Sequence, residues 1–142
     1  MIKSLITSPA KIKPATDGTK ALLPGAKVIA AEPAGADDAF RSYYSKILQP
    51  SVAPKTIADG LLTSLGSLTF PIILNNVDQI ALVSEESIVS AMRMIWERMK
   101  IIIEPSSAVP LAAILENKLD VKGQKVGIIL SGGNVDLGKL PF

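Results

Sequence analysis

A chain of 142 residues, 48% apolar and 20% charged, is one ordinary domain, long enough to bury a core without cross-links. A formal charge of +2 with no basic stripe speaks against a nucleic-acid binder. The absence of Cys and His removes disulfides, thiolate nucleophiles, Ser-His-Asp triads and the common zinc sites, which leaves Asp, Glu, Lys, Ser, Tyr or a cofactor to carry any chemistry.

No long apolar run and no signal-peptide core follow "MIKSLI", so a cytoplasmic protein without a membrane span is expected. "KVIAAE" (27–32), bounded by "PG" and "EP", reads as a buried strand ending at Glu32. "ADDAFRSYYSKIL" (36–48) puts Phe40, Tyr43, Tyr44 and Ile47 at helical spacing, with Asp37 and Asp38 where a helix dipole favours carboxylates. Residues 49–56 read as a loop and "IADGLLTSLG" (57–66) as a turn into a short helix, while "FPIILNNV" (70–77) is open between strand and helix. "QIALV" (79–83) is strand-like. "SEESIVSAMRMIWERMK" (84–100) is the clearest helix, with Ser84 as N-cap, Glu85 and Glu86 in the first turn and a core stripe through Ile88, Met92, Ile95 and Met99. "SSAVPLAAILENKL" (106–119) predicts a further helix capped by Ser106 or Ser107, with Pro110 in its first turn. "KVGIIL" (125–130) predicts a buried closing strand. This order implies an α/β fold, a mostly parallel sheet covered by helices.

Ligands of such sheets gather beyond the carboxyl ends of the strands, where "SGGN" (131–134) lies. Its two glycines allow close approach of the main chain to a flat or anionic ligand, and Ser131 offers a hydroxyl; the same residues also make an ordinary tight turn. In "AAEPAGADD" (30–38), Glu32 at a strand end and Asp38 at a helix start suit either helix capping or a hard cation seeking oxygen ligands.

Three stretches in order, "TIADGLLTSLG", "WERMKIIIEPSSAVPLAAIL" and "VGIILSGGNVDL", resemble the C-terminal half of serine racemases and of threonine and threo-3-hydroxyaspartate dehydratases, pyridoxal-phosphate enzymes of fold type II. The resemblance spans residues 23–142 and implies a truncated large domain of the tryptophan synthase beta-like kind, preceded by an atypical segment at 1–22. It implies that Ser131 hydrogen-bonds the pyridine nitrogen of pyridoxal phosphate and that Gly60 lies against the ring, where a side chain would obstruct it. It implies a magnesium or calcium site formed by Glu32, the carbonyl of Ala36 and Asp38. Lys100 and Asn134 match positions that contact a nucleotide effector in animal serine racemases, although Lys100 is also explained by the helix dipole. Glu104 matches a glutamate beside the cofactor, and is equally suited to a helix boundary before a proline.

The Schiff-base lysine motif and the phosphate-holding tetraglycine loop of that family do not occur in the sequence. Lys3, Lys11, Lys13, Lys20 and Lys27 lack the flanking residues of a pyridoxal lysine, so no catalytic residue is assigned. The chain is therefore expected to be a truncated product or one piece of a split racemase or ammonia-lyase. It would be inactive alone, would act on a small hydroxyamino acid once completed, and would form homo-oligomers or associate with a complementary fragment. The alternative is a non-catalytic domain that binds a cation or self-associates, or the relic of a truncated gene.

Overall fold

The computed structural model describes residues 3–7 and 12–142. Four parallel strands form one sheet in the order β3-β2-β1-β4: β1 Ser4–Thr7, β2 Lys27–Pro33, β3 Gln79–Val83 and β4 Val126–Ile128. The helices are α1 Ile12–Leu22, α2 Asp38–Ser45, α3 Phe70–Asn76, α4 Glu85–Met99 and α5 Pro105–Leu115, with a 3₁₀ turn at Asp59–Leu61. Among the described residues no helix is long and apolar enough to cross a membrane.

The β2 residues after Lys27 are all buried, as a parallel strand covered on both faces requires. Their alternation divides the core in two. Ile29 and Ala31 join Ala81 and Val83 of β3 under α4 and α5, whereas Val28 and Ala30 join Ile80, Ala39 and Ile73 on the face covered by α2 and α3. Burying each of the large side chains, Ile73, Ile80, Ile88 and Met92, contributes about 1.5–3 kcal/mol relative to leaving it in water.

Several expectations change. The 1–22 segment, read only as atypical, contains β1 and α1, and β1 lies inside the sheet between β2 and β4. Residues 70–77, open between strand and helix, form α3, with Pro71 in its first turn where a missing N–H costs nothing. The turn at 57–66 yields only a single 3₁₀ turn. Helix α2 stops at Ser45 because Lys46 turns left-handed (φ 61°), so Ile47 is exposed instead of facing the core, and Tyr44 is half-exposed. The α4 stripe holds for Ile88, Met92 and Ile95 but not for Met99, which is 58% exposed where the helix ends at a left-handed Lys100. Helix α5 begins at Pro105 with Glu104 in the N-cap position, so neither serine is the cap and Pro110 falls in the helix interior. There its ring leaves the Ser106 carbonyl without the usual helical donor. The closing strand is shorter than expected and half-exposed, because β4 is a sheet edge.

Candidate functional site

The 3₁₀ turn at Asp59–Leu61 and the segment leaving the carboxyl end of β4 meet the N-terminal turn of α5, while Glu32 and Asp38 line a cavity that includes Gly60. Glu32, at the end of β2, is 3% exposed and accepts from the amides of Ala39 (3.2 Å) and Phe40 (2.8 Å), two orphan donors of α2. It thereby does for α2 what its N-cap residue Asp37 does not, since Asp37 makes no capping bond. Asp38, 2% exposed, accepts the Leu65 amide at 2.6 Å and so pins the 61–69 loop over the same place. Desolvation raises the Glu32 carboxyl to about 8, with the Asp38 charge adding to the effect and the Phe40 and Ala39 amides opposing it.

Both carboxylates line a cavity of about 240 Å³ together with Gly60, Thr63, Ser64 and Thr69. Neither carboxylate has a Lys or Arg within ion-pair distance among the described residues. Ala36 is buried, its amide donates to Pro33 (3.0 Å), and its carbonyl receives no hydrogen bond among the described residues. Two buried carboxyl groups without a cationic partner among the described residues, beside a polar cavity, are donors suited to a hard divalent cation, whereas Ala36 is not among the residues lining that cavity. Among the described residues there is no cluster of three or more His, Cys, Asp or Glu side chains, so such an ion would complete its shell with water.

Gly60 lines the same cavity. A Cβ on Gly60 would lie 2.9 Å from the Ser106 hydroxyl and 3.7 Å from a Glu104 carboxylate oxygen. Across from it, Gly132 adopts φ +99°, and a Cβ there would lie 2.4 Å from the Glu104 carboxyl carbon. The Gly132 carbonyl accepts from the Glu104 amide (3.1 Å), and Glu104 accepts from the Asn134 amide (3.3 Å). Glu104 is therefore the point at which the Gly60 and Ser131 segments converge. The Ser131 carbonyl accepts from the Ser107 hydroxyl, while the Ser131 hydroxyl is unengaged among the described residues and half-exposed.

Lys100 and Asn134 are both exposed, one at the end of α4 and the other in the 131–134 turn, and no hydrogen bond or ion pair joins them. Of the N-terminal lysines, Lys20 is tied to Asp78 (2.9 Å) and to the Ala26 carbonyl, Lys3 directly precedes β1, Lys27 is the first paired residue of β2, and Lys11 lies outside the described residues. Sequence reasoning missed the working parts of the α5 turn, Ser106 and Ser107. The signal for them was the proline before the pair: a proline at the first helical position places both serines inside the helix, with their hydroxyls directed elsewhere.

This is an open α/β sheet with its cleft beyond the strand ends, the large-domain architecture of fold-type II pyridoxal-phosphate enzymes. The family model "Pyridoxal-phosphate dependent enzyme" matches residues 16–132, and the chain belongs to that family. It is 59% identical over 127 residues to the serine racemase of Dictyostelium discoideum, covering 85% of this chain and 39% of that protein. It is 51% identical over 121 residues to the beta-hydroxyaspartate dehydratase of Paracoccus denitrificans, covering 85% of this chain and 38% of that protein. The crystal structure of the Dictyostelium discoideum serine racemase superposes with a TM-score of 0.89 at 53% identity, over 96% of this chain and 45% of the other. The chain thus spans about two fifths of the length of these two relatives.

Proposed function

We propose that this chain supplies the ring side of a pyridoxal-phosphate site that racemises or dehydrates a small hydroxyamino acid such as serine. The observation that carries this is the meeting of Gly60, Glu104 and the Ser131 turn at one helix end, where both glycines already lack room for a side chain. Bound pyridoxal phosphate supplies the electron sink that allows an amino acid to lose its α-proton, the step shared by racemisation and loss of the β-hydroxyl as water. Ser131 contributes a neutral hydroxyl to the ring nitrogen, which draws electrons less strongly through the ring than a carboxylate partner would. Gly60 keeps one face of the slot clear. Glu104 holds the 131–134 turn in place through its own amide and its carboxylate. Glu32, Asp38 and the Ala36 carbonyl take magnesium or calcium, which screens the two carboxylates from each other and fixes the start of α2.

No residue of the chain is assigned as the Schiff-base lysine, so activity is expected only together with a segment that bears it and a phosphate-binding glycine loop. Coexpression with a fragment of a relative carrying both should give pyruvate from serine, and the chain alone should give none. Ser131→Ala in the assembled pair should lower turnover by about 10²-fold or more, in line with the loss of a preorganised electrostatic contact. Unchanged turnover in that variant would remove Ser131 from the site. The outer edge of β4, unpaired among the described residues, favours self-association as a second reading, in which the chain is a non-catalytic domain.

A further inference from the structure

Two consecutive serines occupy the first turn of α5, and both are buried, Ser106 at 7% and Ser107 at 3% exposure. Hydroxyls deeper in a helix usually bond back to the carbonyl four residues earlier. In the first turn no helical carbonyl precedes them, and one of the available main-chain oxygens, that of Ile103, is taken by the Trp96 indole (3.0 Å). Successive helix positions diverge by about 100°, so the two hydroxyls leave the helix on different sides. The Ser106 hydroxyl accepts from the Gly60 amide at 3.2 Å, sharing that N–H with the Asp59 carboxylate at 2.9 Å, so Ser106 is the contact that ties this amide to α5. The Ser107 hydroxyl has one proton, directed at the carbonyls of Ser131 and Gly132, the latter at 3.2 Å.

We propose that Ser106 and Ser107 are positioning residues, a two-sided bracket that sets the width of the slot between the Gly60 loop and the Ser131 turn. The proposal rests on the reading of that slot as the seat of a pyridine ring. Each serine binds only main-chain atoms, so it fixes the path of its loop and not the orientation of one side chain. The bracket is also built into a rigid element, because α5 is buried along nearly its whole length between the sheet and α4. A ring slot needs this rigidity, since a displacement of about 1 Å is enough to misplace a reacting group.

The test has two parts, both on the full chain. In the ligand-free chain, amide hydrogen exchange followed by NMR should accelerate about tenfold or more at Gly60 in Ser106→Ala. In Ser107→Ala it should accelerate at residues 131–134, with little change at the other loop in either case. The chain is then titrated with pyridoxine 5′-phosphate, a probe that has no aldehyde to react with surface lysines, and binding is read from quenching of Trp96, the single tryptophan. Ser107→Ala should weaken binding about tenfold, equivalent to about 1.4 kcal/mol, and Ser107→Thr, which keeps the hydroxyl, should recover most of it. Ser84→Ala, a cap variant distant from the slot in sequence and expected to lose comparable stability, should bind as the parent does. Exchange unchanged at both loops, or equal weakening in Ser84→Ala, would overturn the bracket. Exchange that responds as expected in a parent chain that binds the probe neither alone nor together with a fragment bearing the phosphate-binding loop would uphold the bracket and overturn the ring-slot reading instead.

Discussion

Burial lifts the Glu32 carboxyl from 4.5 to about 8, against the pull of two helix amides. Between those values the folded chain holds a proton that the unfolded chain releases, so stability in chelator should be greatest below about pH 4.5 as far as Glu32 is concerned, and should fall as pH rises toward 8. Glu32→Gln should flatten this decline in thermal melts. Magnesium or calcium should restore the parent at pH 8, by about 2.7 kcal/mol at a hundredfold excess over the dissociation constant. A parent melt at pH 8 that is the same in chelator and in either cation would remove the cation from the account. At Gly132 the left-handed backbone and the Glu104 carboxylate act together. Gly132→Ala should cost about 1–3 kcal/mol in chemical denaturation, and adding Glu104→Ala should recover the part due to the clash but not the part due to φ; purely additive losses would contradict the contact. Glu32, Asp38 and Ser131 could be singled out as candidates in the sequence because carboxylates at a strand end and a Ser-Gly-Gly turn are local patterns. The convergence on Glu104 was not visible, since it joins three segments distant along the chain.

Helix α4 was legible nearly to the residue: its cap, acidic first turn and core stripe are all local signals, and Ser84 accepts the Ser87 amide at 3.2 Å. Glu116 adds a tertiary clamp, accepting both the amide and the hydroxyl of Ser84 at 2.7 Å. Ser84→Ala should therefore cost about 1–2 kcal/mol, the upper part of the range for a cap, and shift the urea midpoint without changing the slope; a loss below about 0.3 kcal/mol would show the clamp to be inert. Helix α5 was legible as a helix but not in its phase. Its all-round burial erases the amphipathic period that would have set the start at Pro105, and packing between sheet and α4 makes Pro110 tolerable in the interior. Strand β1 escaped notice because "SLIT" is too short to show a period, and its place beside β2 is settled by tertiary pairing.

The sheet of the whole molecule is asymmetric. On the β3 side the Tyr44 hydroxyl donates to the Ile80 carbonyl (3.2 Å), so that border is partly closed. On the β4 side, uncharged and half-exposed Val126–Ile128 pairs, among the described residues, only with β1. Size exclusion should accordingly show oligomers or aggregation for the chain alone, reduced when the complementary fragment is coexpressed; a monomer indifferent to the fragment would favour an independent domain. The α/β class was legible in the order of strand-like and helical stretches and the family in three long motifs that survive in order, whereas the edges of the sheet depend on pairing that no single stretch encodes. The central claim, that this chain offers the ring side of the site and not its lysine, is tested most directly by borohydride trapping with pyridoxal phosphate followed by mass spectrometry. The account predicts no stoichiometric adduct on the chain alone and, in the mixture, one adduct on the lysine of the supplied fragment. A stoichiometric single-lysine adduct on this chain, accompanied by pyruvate formation from serine, would contradict it.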